Sequence, residues 1–318
     1  MKTVKKIFFL FLRISVSVAL LIFLFRTVDV KKLLEAIKHA NTFFLISALL
    51  IFFWNYILAF LRWNILLEAY QIHIPFRRLL VSFSGGIVFN LILPSTVGGD
   101  FVRSIDLAGF SQKPRQVVAS VLLDRLSGYA GVVCVAILAM LFGYKLIHTS
   151  SVLWGVGTIT MLLILISLVL FNGFVFSKTN RLLDYFGANK ISQAIKNLHQ
   201  EIHIFRHQKK VLLKVFIVSI LIQSIGPLSF YLVASSLGVH INILYFFIFL
   251  PIIGAITLLP ISIGGLGLKE AAVIFFFAQA GVSKDLSFAS SLLTFSFTLF
   301  YCGIGGLIYV FGVRGRRL

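Results

Sequence analysis

Uncharged apolar stretches of about twenty residues recur along the whole chain of 318 residues. A helix of that length crosses roughly 30 Å of hydrocarbon and satisfies its own backbone polar groups there. Since only 12% of the residues are charged, against about 25% in soluble domains, a water-soluble fold is excluded. We predict an all-α integral membrane protein, a single polytopic domain over 1–318, with about six spans. The predicted spans are 7–25, 42–61, 117–143, 149–177, 215–239 and 286–313.

The first apolar run follows Lys2, Lys5 and Lys6 and so resembles a signal peptide. It exceeds the usual 7–15 apolar residues of such a peptide, and no small-x-small cleavage site follows it. We therefore expect it to remain as a span.

The net charge of +19 reports first on topology, because cytoplasmic loops of membrane proteins accumulate Lys and Arg. With six spans and both termini in the cytoplasm, 21 of the 29 basic residues fall inside, 7 outside and one, Arg125, within a span. The segment 178–210 forms the predicted basic cytoplasmic loop. We expect a multi-pass protein of a prokaryotic cell (inner) membrane, with membrane lipids rather than nucleic acid as its partners.

Two uncharged segments, 79–99 and 242–268, are too rich in helix-breaking residues to be plain spans. Broken helices at membrane depth are tolerated only against protein or a wet cavity. We predict two re-entrant hairpins, because a single full crossing would place the basic loop outside; paired, tilted crossings giving eight spans are the alternative. The interrupting residues are Gly85, Gly86, Asn90, Pro94, Ser95, Thr96, Gly98 and Gly99 in the first segment and Pro251, Gly254, Pro260, Gly264, Gly265 and Gly267 in the second.

The two segments belong to an internal repeat, 73–125 and 240–295. Each half carries Pro-x-x-x-Gly-Gly, a cation four residues after the second Gly, Ala-Gly-x-Ser and Ala-Ser-x-Leu-Leu, in the same order. Three predicted spans separate the hairpins, so the halves have opposite orientations. Inverted repeats with a substrate site at their interface are typical of secondary transporters.

Asp124 and Arg125 lie about eight residues into an apolar span. A lone charge at that depth costs roughly 2.5–3.5 kcal/mol, so such residues face a cavity or a partner. Three interpretations stay open: the two side chains neutralise each other, Arg125 pairs with Asp100 or Asp106, or Arg125 clamps a phosphate. Pro227 breaks a later span and either kinks it or frees backbone groups near the cavity.

The segment Gly98-Gly99-Asp100-x-x-Arg103 opens the return helix of the first hairpin. Amide groups at a helix start bind anions, glycine allows a close approach, and arginine adds a bidentate donor. We expect Arg103 and Arg125 to be cationic steps for a phosphate, with no catalytic, cofactor or metal site. The predicted lipid headgroup-binding residues are Pro94, Gly98, Gly99, Asp100, Arg103, Asp124, Arg125, Gly264, Gly265, Gly267, Lys269 and Glu270.

Two amphipathic helices are predicted outside the spans. In 29–41, apolar residues at helical spacing oppose lysines and a glutamate, which indicates a helix in the outer interface. A second apolar stripe runs through 191–205 in the basic loop.

These motifs, with Leu122-Leu123-Asp124-Arg125 and Gly264-Gly265-x-Gly267-x-Lys269-Glu270, resemble the lysylphosphatidylglycerol synthase transmembrane-region family of flippase-like membrane proteins. The resemblance covers nearly the whole chain and implies movement or recognition of a lipid. Fused members carry a cytoplasmic aminoacyltransferase domain, and we expect a stand-alone member without it. One departure is Thr294-Phe295, where family members often place a second acid–arginine pair.

The sequence therefore favours a lipid transporter that moves or binds a phospholipid or polyprenyl-phosphate headgroup in a midplane cavity. A membrane transferase acting on headgroups is one alternative, although Asp100, Asp124 and Glu270 are the only acidic candidates for its base and none has a nearby His. A lipid-binding scaffold that recruits a partner, such as a separate lipid-modifying enzyme, is another.

The topology is testable by cysteine labelling in intact cells. Cysteines introduced at Lys145 and Gln200 should react from opposite faces of the membrane, because an odd number of predicted spans separates them. Labelling of both positions from outside would contradict the inverted repeat.

Overall fold

The computed structural model describes residues 2–93, 98–143, 208–257, 262 and 265–314, together with 157, 158, 161, 193 and 196. All regular secondary structure within these residues is helical, which confirms the predicted all-α class. The helices that we number are α1 (Lys2–Thr27), α2 (Val30–Lys38), α3 (Thr42–Ala69), α4 (Phe76–Ile92), α5 (Gly98–Ser111), α6 (Pro114–Phe142), α7 (Lys209–Ser236), α8 (Leu244–Thr257), α9 (Leu268–Ala278) and α10 (Lys284–Arg314).

Four of the described helices, α3, α6, α7 and α10, are long and apolar enough to cross a membrane. They match four predicted spans with shifted boundaries: α7 begins six residues before its predicted start, and α3 continues eight residues past its predicted end at 61. The first apolar run forms α1. The predicted span 149–177 and the basic loop lie outside the described residues apart from isolated positions, so the count of six spans stays a prediction.

The distribution of polarity is that of a membrane protein. Phenylalanines such as Phe101 and Phe142 are 67% and 77% exposed, whereas Asp100 and Glu270 are 4% and 1% exposed. Charges at membrane depth face a cavity or a partner rather than lipid. The outward surface is therefore apolar and suited to hydrocarbon, and charged side chains such as those of Asp100 and Glu270 lie inside the protein.

Helices α3, α6 and α7 pack together, and two pairs of shorter helices pack on them. We name the pair α4 and α5 hairpin 1 and the pair α8 and α9 hairpin 2. Hairpin 1 joins an apolar cluster that includes Trp63 and Leu107. Hairpin 2 joins a cluster that includes Phe246 and Val273. The repeat thus corresponds to two separately packed hairpins.

The helices of both hairpins are too short to cross the bilayer individually. They have 17 and 14 residues in hairpin 1 and 14 and 11 in hairpin 2. At 1.5 Å per residue the longest measures about 26 Å, less than the roughly 30 Å of hydrocarbon. This agrees with broken-helix hairpins, while their re-entrant course through the membrane stays a prediction.

Several expected helix breaks are wrong. Helix α4 continues through Gly85, Gly86 and Asn90, and α8 continues through Pro251. Close packing explains the first glycine, because a Cβ atom at Gly85 would lie 2.6 Å from the ring of Tyr309 in α10. The breaks occur later, after Ile92 and after Thr257.

Gly99 allows the two helices of hairpin 1 to touch through their backbones. A Cβ atom at this position would collide with the carbonyl oxygen of Gly86 and lie 2.7 Å from Cγ of Asn90. The Asn90 side chain also accepts a hydrogen bond of 2.9 Å from the Gly99 amide, which satisfies a donor at the start of α5. Gly99 therefore serves helix packing.

In hairpin 2, the turn before the second helix contains glycines in a left-handed conformation. Gly265 and Gly267 have φ of +78° and +79°, a left-handed conformation that L side chains rarely adopt. The Gly267 amide donates a 2.7 Å hydrogen bond to Glu270 Oε2. A Cβ at Gly267 would meet Leu20 of α1 at 2.8 Å, so this turn is also where α1 packs.

Helix α2 confirms the predicted amphipathic helix near residue 30, but its apolar face is not directed only at lipid. Leu33 is buried against Leu24, Val28 and Phe288. Asp29 caps the helix by accepting hydrogen bonds from the amides of its first turn. The predicted stripe in 191–205 lies outside the described residues except for two positions.

The close contact within hairpin 1 is testable by adding one methyl group. Gly99→Ala should lower the free energy of unfolding by about 1–3 kcal/mol, the usual effect of overpacking. Gly109 of the same helix has open space around it, so Gly109→Ala should be neutral or stabilise by up to about 1 kcal/mol. Unfolding temperatures of the purified variants in detergent measure the difference; equal stability of the two would contradict the contact.

Candidate functional site

Asp124 in α6 is the centre of a buried group of charges. Its Oδ1 accepts a hydrogen bond of 2.7 Å from Nε of Arg62, and its Oδ2 accepts one of 2.8 Å from Nη2 of Arg103. Arg62 belongs to α3 and Arg103 to α5. One carboxylate therefore ties hairpin 1 to two long helices.

Asp100 extends this group. Its Oδ1 lies 3.0 Å from Nη2 of Arg103, so one guanidinium nitrogen bridges both aspartates. Its Oδ2 accepts a hydrogen bond from Nε of Arg125 in α6. We name Arg62, Asp100, Arg103, Asp124 and Arg125 the arginine–aspartate network.

Neutral side chains fix the orientation of two network arginines. Nη1 of Arg62 donates a 3.0 Å hydrogen bond to Ser219 Oγ in α7. The guanidinium of Arg103 lies 4.6 Å from the ring centroid of Trp63, a cation–π geometry. Trp63 is itself held by a 3.2 Å hydrogen bond from Nε1 to Ser120 Oγ. The side chain of Arg103 is 6% exposed, so its role is to hold the helices together.

A cavity of about 380 Å³ lies where α3, α6 and α7 meet hairpin 2 and α10. Helices α3, α6, α7, α8, α9 and α10 contribute to its wall. Its apolar wall includes Phe52, Phe230, Pro227, Leu250 and Pro251. The polar residues of the wall are Arg62, Asp124, Arg125, Tyr129, Gln223, Lys269 and Thr294.

Lys269 brings a cation into the cavity wall from the second repeat. Its neighbour Glu270 directs its carboxylate elsewhere, with Oε2 on the Gly267 amide at 2.7 Å and Oε1 on Ser291 Oγ at 3.2 Å. In the part of the chain that the structure describes, no carboxylate forms an ion pair with Lys269.

The structure divides the predicted headgroup-binding residues into two groups. Asp124, Arg125 and Lys269 line the cavity, with Arg125 and Lys269 coming from different repeats. The residues that do not line it are Gly98, Gly99, Asp100, Arg103, Gly265, Gly267 and Glu270. Pro94 and Gly264 lie outside the described residues.

Arg62 was missed as a site residue, because the sequence placed it in a cytoplasmic loop. It is a buried residue of α3 that lines the cavity. Continued apolar sequence after it, Trp63 to Leu67, was the available signal. Arg103 and Lys269 likewise lie in helices of the hairpins rather than in loops. Without Arg62, Arg103 and Lys269, the predicted cytoplasmic side still has the larger number of basic residues.

The structure decides between the pairings that the sequence left open. Arg125 pairs with Asp100, and Asp106 pairs with Arg78 at 3.1 Å. Mutual neutralisation of Asp124 and Arg125 is wrong, because Asp124 is held by Arg62 and Arg103. Sequence neighbours on a helix point in different directions.

The fold and this site define a multi-pass α-helical membrane protein with a charged cavity among its helices. Residues 10–306 match the family described as the lysylphosphatidylglycerol synthase TM region, and the chain belongs to that family.

Two archaeal relatives are similar over most of their length. A UPF0104 membrane protein of Methanothermobacter thermautotrophicus is 25% identical over 285 residues, which cover 81% of this chain and 82% of the relative. A UPF0104 membrane protein of Pyrococcus horikoshii is 23% identical over 305 residues, covering 89% and 91%. The expected resemblance is thereby confirmed.

The network predicts unequal effects of two arginine substitutions. Arg62→Met should destabilise strongly, since removing one partner of a buried ion pair typically costs about 3–5 kcal/mol. Arg125→Met should cost less, because the Arg125 side chain is 34% exposed whereas that of Arg62 is 9% exposed. Unfolding temperatures in detergent would test this ranking; an equal or larger loss for Arg125→Met would contradict it.

Proposed function

We propose that this protein binds the phosphate of a lipid headgroup in the cavity and moves the lipid across the membrane. The observation that carries the proposal is that Arg125 and Lys269, one from each repeat, line the same cavity. In inverted-repeat transporters the substrate lies at the repeat interface. The candidate lipids are an anionic or zwitterionic phospholipid and a polyprenyl phosphate.

The size and chemistry of the cavity support a headgroup ligand. Its volume of about 380 Å³ is within the range of small-molecule sites, about 300–1,000 Å³. Arginine offers a planar donor pair for phosphate and stays charged at membrane depth. The apolar wall around Phe230 and Leu250 suits the first carbons of the attached chains, whose remainder stays in the lipid.

Transport is favoured over a transferase by the state of the buried carboxylates. A general base needs a free lone pair at the reacting group. Asp124 and Asp100 are committed to arginines, and Glu270 to its helix start and Ser291. We therefore propose a non-enzymatic lipid transporter with both termini in the cytoplasm.

Arg125 and Lys269 are the cations that we assign to the headgroup. Arg103 does not line the cavity. We therefore assign it to the support of the arginine–aspartate network and not to the lipid pathway in which the sequence placed it. Movement of a headgroup requires its hydration to be replaced by fixed donors. Two cations from opposite repeats supply these donors between the two sides of the membrane.

A scrambling assay tests this assignment. The purified chain is reconstituted into phosphatidylcholine vesicles with acyl-labelled fluorescent phosphatidylglycerol, and lipid reaching the other leaflet is measured by chemical quenching. Arg125→Ala should abolish movement, and Arg125→Lys should retain part of it because charge remains while the bidentate geometry is lost.

Arg115, exposed at the start of the same helix, provides the matched control. Arg115→Ala should leave movement at the wild-type rate. Unchanged movement in folded Arg125→Ala protein would contradict the proposal. Lipid retained by the wild type without any movement would favour the lipid-binding scaffold instead.

A further inference from the structure

The charges around the cavity do not balance. The arginine–aspartate network holds three arginines against two aspartates. On the other side, Lys269 is offset only by Glu270, whose carboxylate is turned toward its own helix start and Ser291. The whole group therefore has one more cation than carboxylates, and its wall presents Arg62, Arg125 and Lys269 against the single acid Asp124.

The two repeats differ in the acid that they supply to the cavity wall. Asp124 and Thr294 both follow the shared Ala-Ser-x-Leu-Leu motif, and both line the cavity. In the first repeat the acid neutralises Arg103, the cation that follows the glycine pair. In the second repeat the corresponding cation is Lys269, and the corresponding residue is a threonine. The Thr294 hydroxyl donates to the backbone oxygen of Ser290 at 2.8 Å.

We propose that the cavity selects headgroups of net negative charge over zwitterionic and cationic headgroups, and that Thr294 contributes to this selection because it stands in the cavity wall where the first repeat has the carboxylate of Asp124. The inference rests on the proposed function and adds to it the charge class of the lipid. It excludes lysyl-phosphatidylglycerol, whose two added ammonium groups make the headgroup cationic, as the preferred ligand.

The physical reason is the cost of placing like charges together in a site of low dielectric. A headgroup ammonium would enter a cavity whose excess charge is already positive, with Asp124 as the only carboxylate in the described part of its wall. Both oxygens of Asp124 already accept hydrogen bonds from arginines. Specificity of this kind comes from penalising the wrong ligand as well as from attracting the right one.

The selection is measured with three acyl-labelled probes in the same vesicles: phosphatidylglycerol, phosphatidylcholine and lysyl-phosphatidylglycerol. The wild type should move phosphatidylglycerol fastest. Thr294→Asp adds a carboxylate to the cavity wall that Lys269 also lines, so the ratio of the phosphatidylglycerol rate to the phosphatidylcholine rate should fall by about tenfold.

Two further variants keep the result interpretable. Lys269→Gln removes the excess cation without burying a new acid, and it should also lower the ratio if Thr294→Asp folds poorly. Thr298 lies one turn further along α10 and does not line the cavity. Thr298→Asp should therefore keep the wild-type ratio.

The outcomes separate this inference from the proposed function. Equal rates for the three probes in the wild type would overturn the charge selection and leave lipid movement standing. Absence of movement of every probe would overturn both. A ratio that stays unchanged in Thr294→Asp and Lys269→Gln, or that falls equally in Thr298→Asp, would remove the role of Thr294.

Discussion

The contact on which the rest of the structure depends is the pairing of buried aspartates with arginines from three helices. Charges at membrane depth are tolerated only with partners, and Asp124 meets that condition through Arg62 and Arg103. Because those arginines lie in α3 and α5, satisfying one acid fixes the position of hairpin 1 against the long helices. Arg125, bound to Asp100, is thereby held in the wall of the cavity.

The two hairpins are secured by different physical means, although their sequences repeat. Hairpin 1 is held by ion pairs. Hairpin 2 is held by aromatic packing, with the rings of Phe246 and Phe277 4.9 Å apart, and by the cap that Glu270 forms on α9. Arg103, the cation of hairpin 1, is paired with buried aspartates, whereas Lys269 of hairpin 2 lines the cavity. The anion selection that we propose depends on this asymmetry.

Proline and glycine act on the cavity mainly through packing. Pro227 and Pro251 lie within helices α7 and α8 and line the cavity, where a proline removes an amide donor from the helix. The glycines proposed to contact a headgroup instead set helix approach, as Gly99 does against Gly86. The same residue types can indicate a binding loop or close helix packing, and only the neighbouring backbone distinguishes the two.

The sequence by itself determines the membrane class, most helices and the presence of two hairpins. It does so through apolar runs of spanning length, the charge bias and the repeated motifs, because the class and the helices depend on local composition and period. The sequence also identifies Asp124 and Arg125 as buried charges, since the apolar span around them makes each one costly. The choice of partners was decided only by the tertiary structure. Arg62 meets Asp124 across 62 positions of sequence, and Lys269 reaches the cavity of Arg125, because helix rotation and hairpin packing, which no local pattern encodes, determine which side chains face one another.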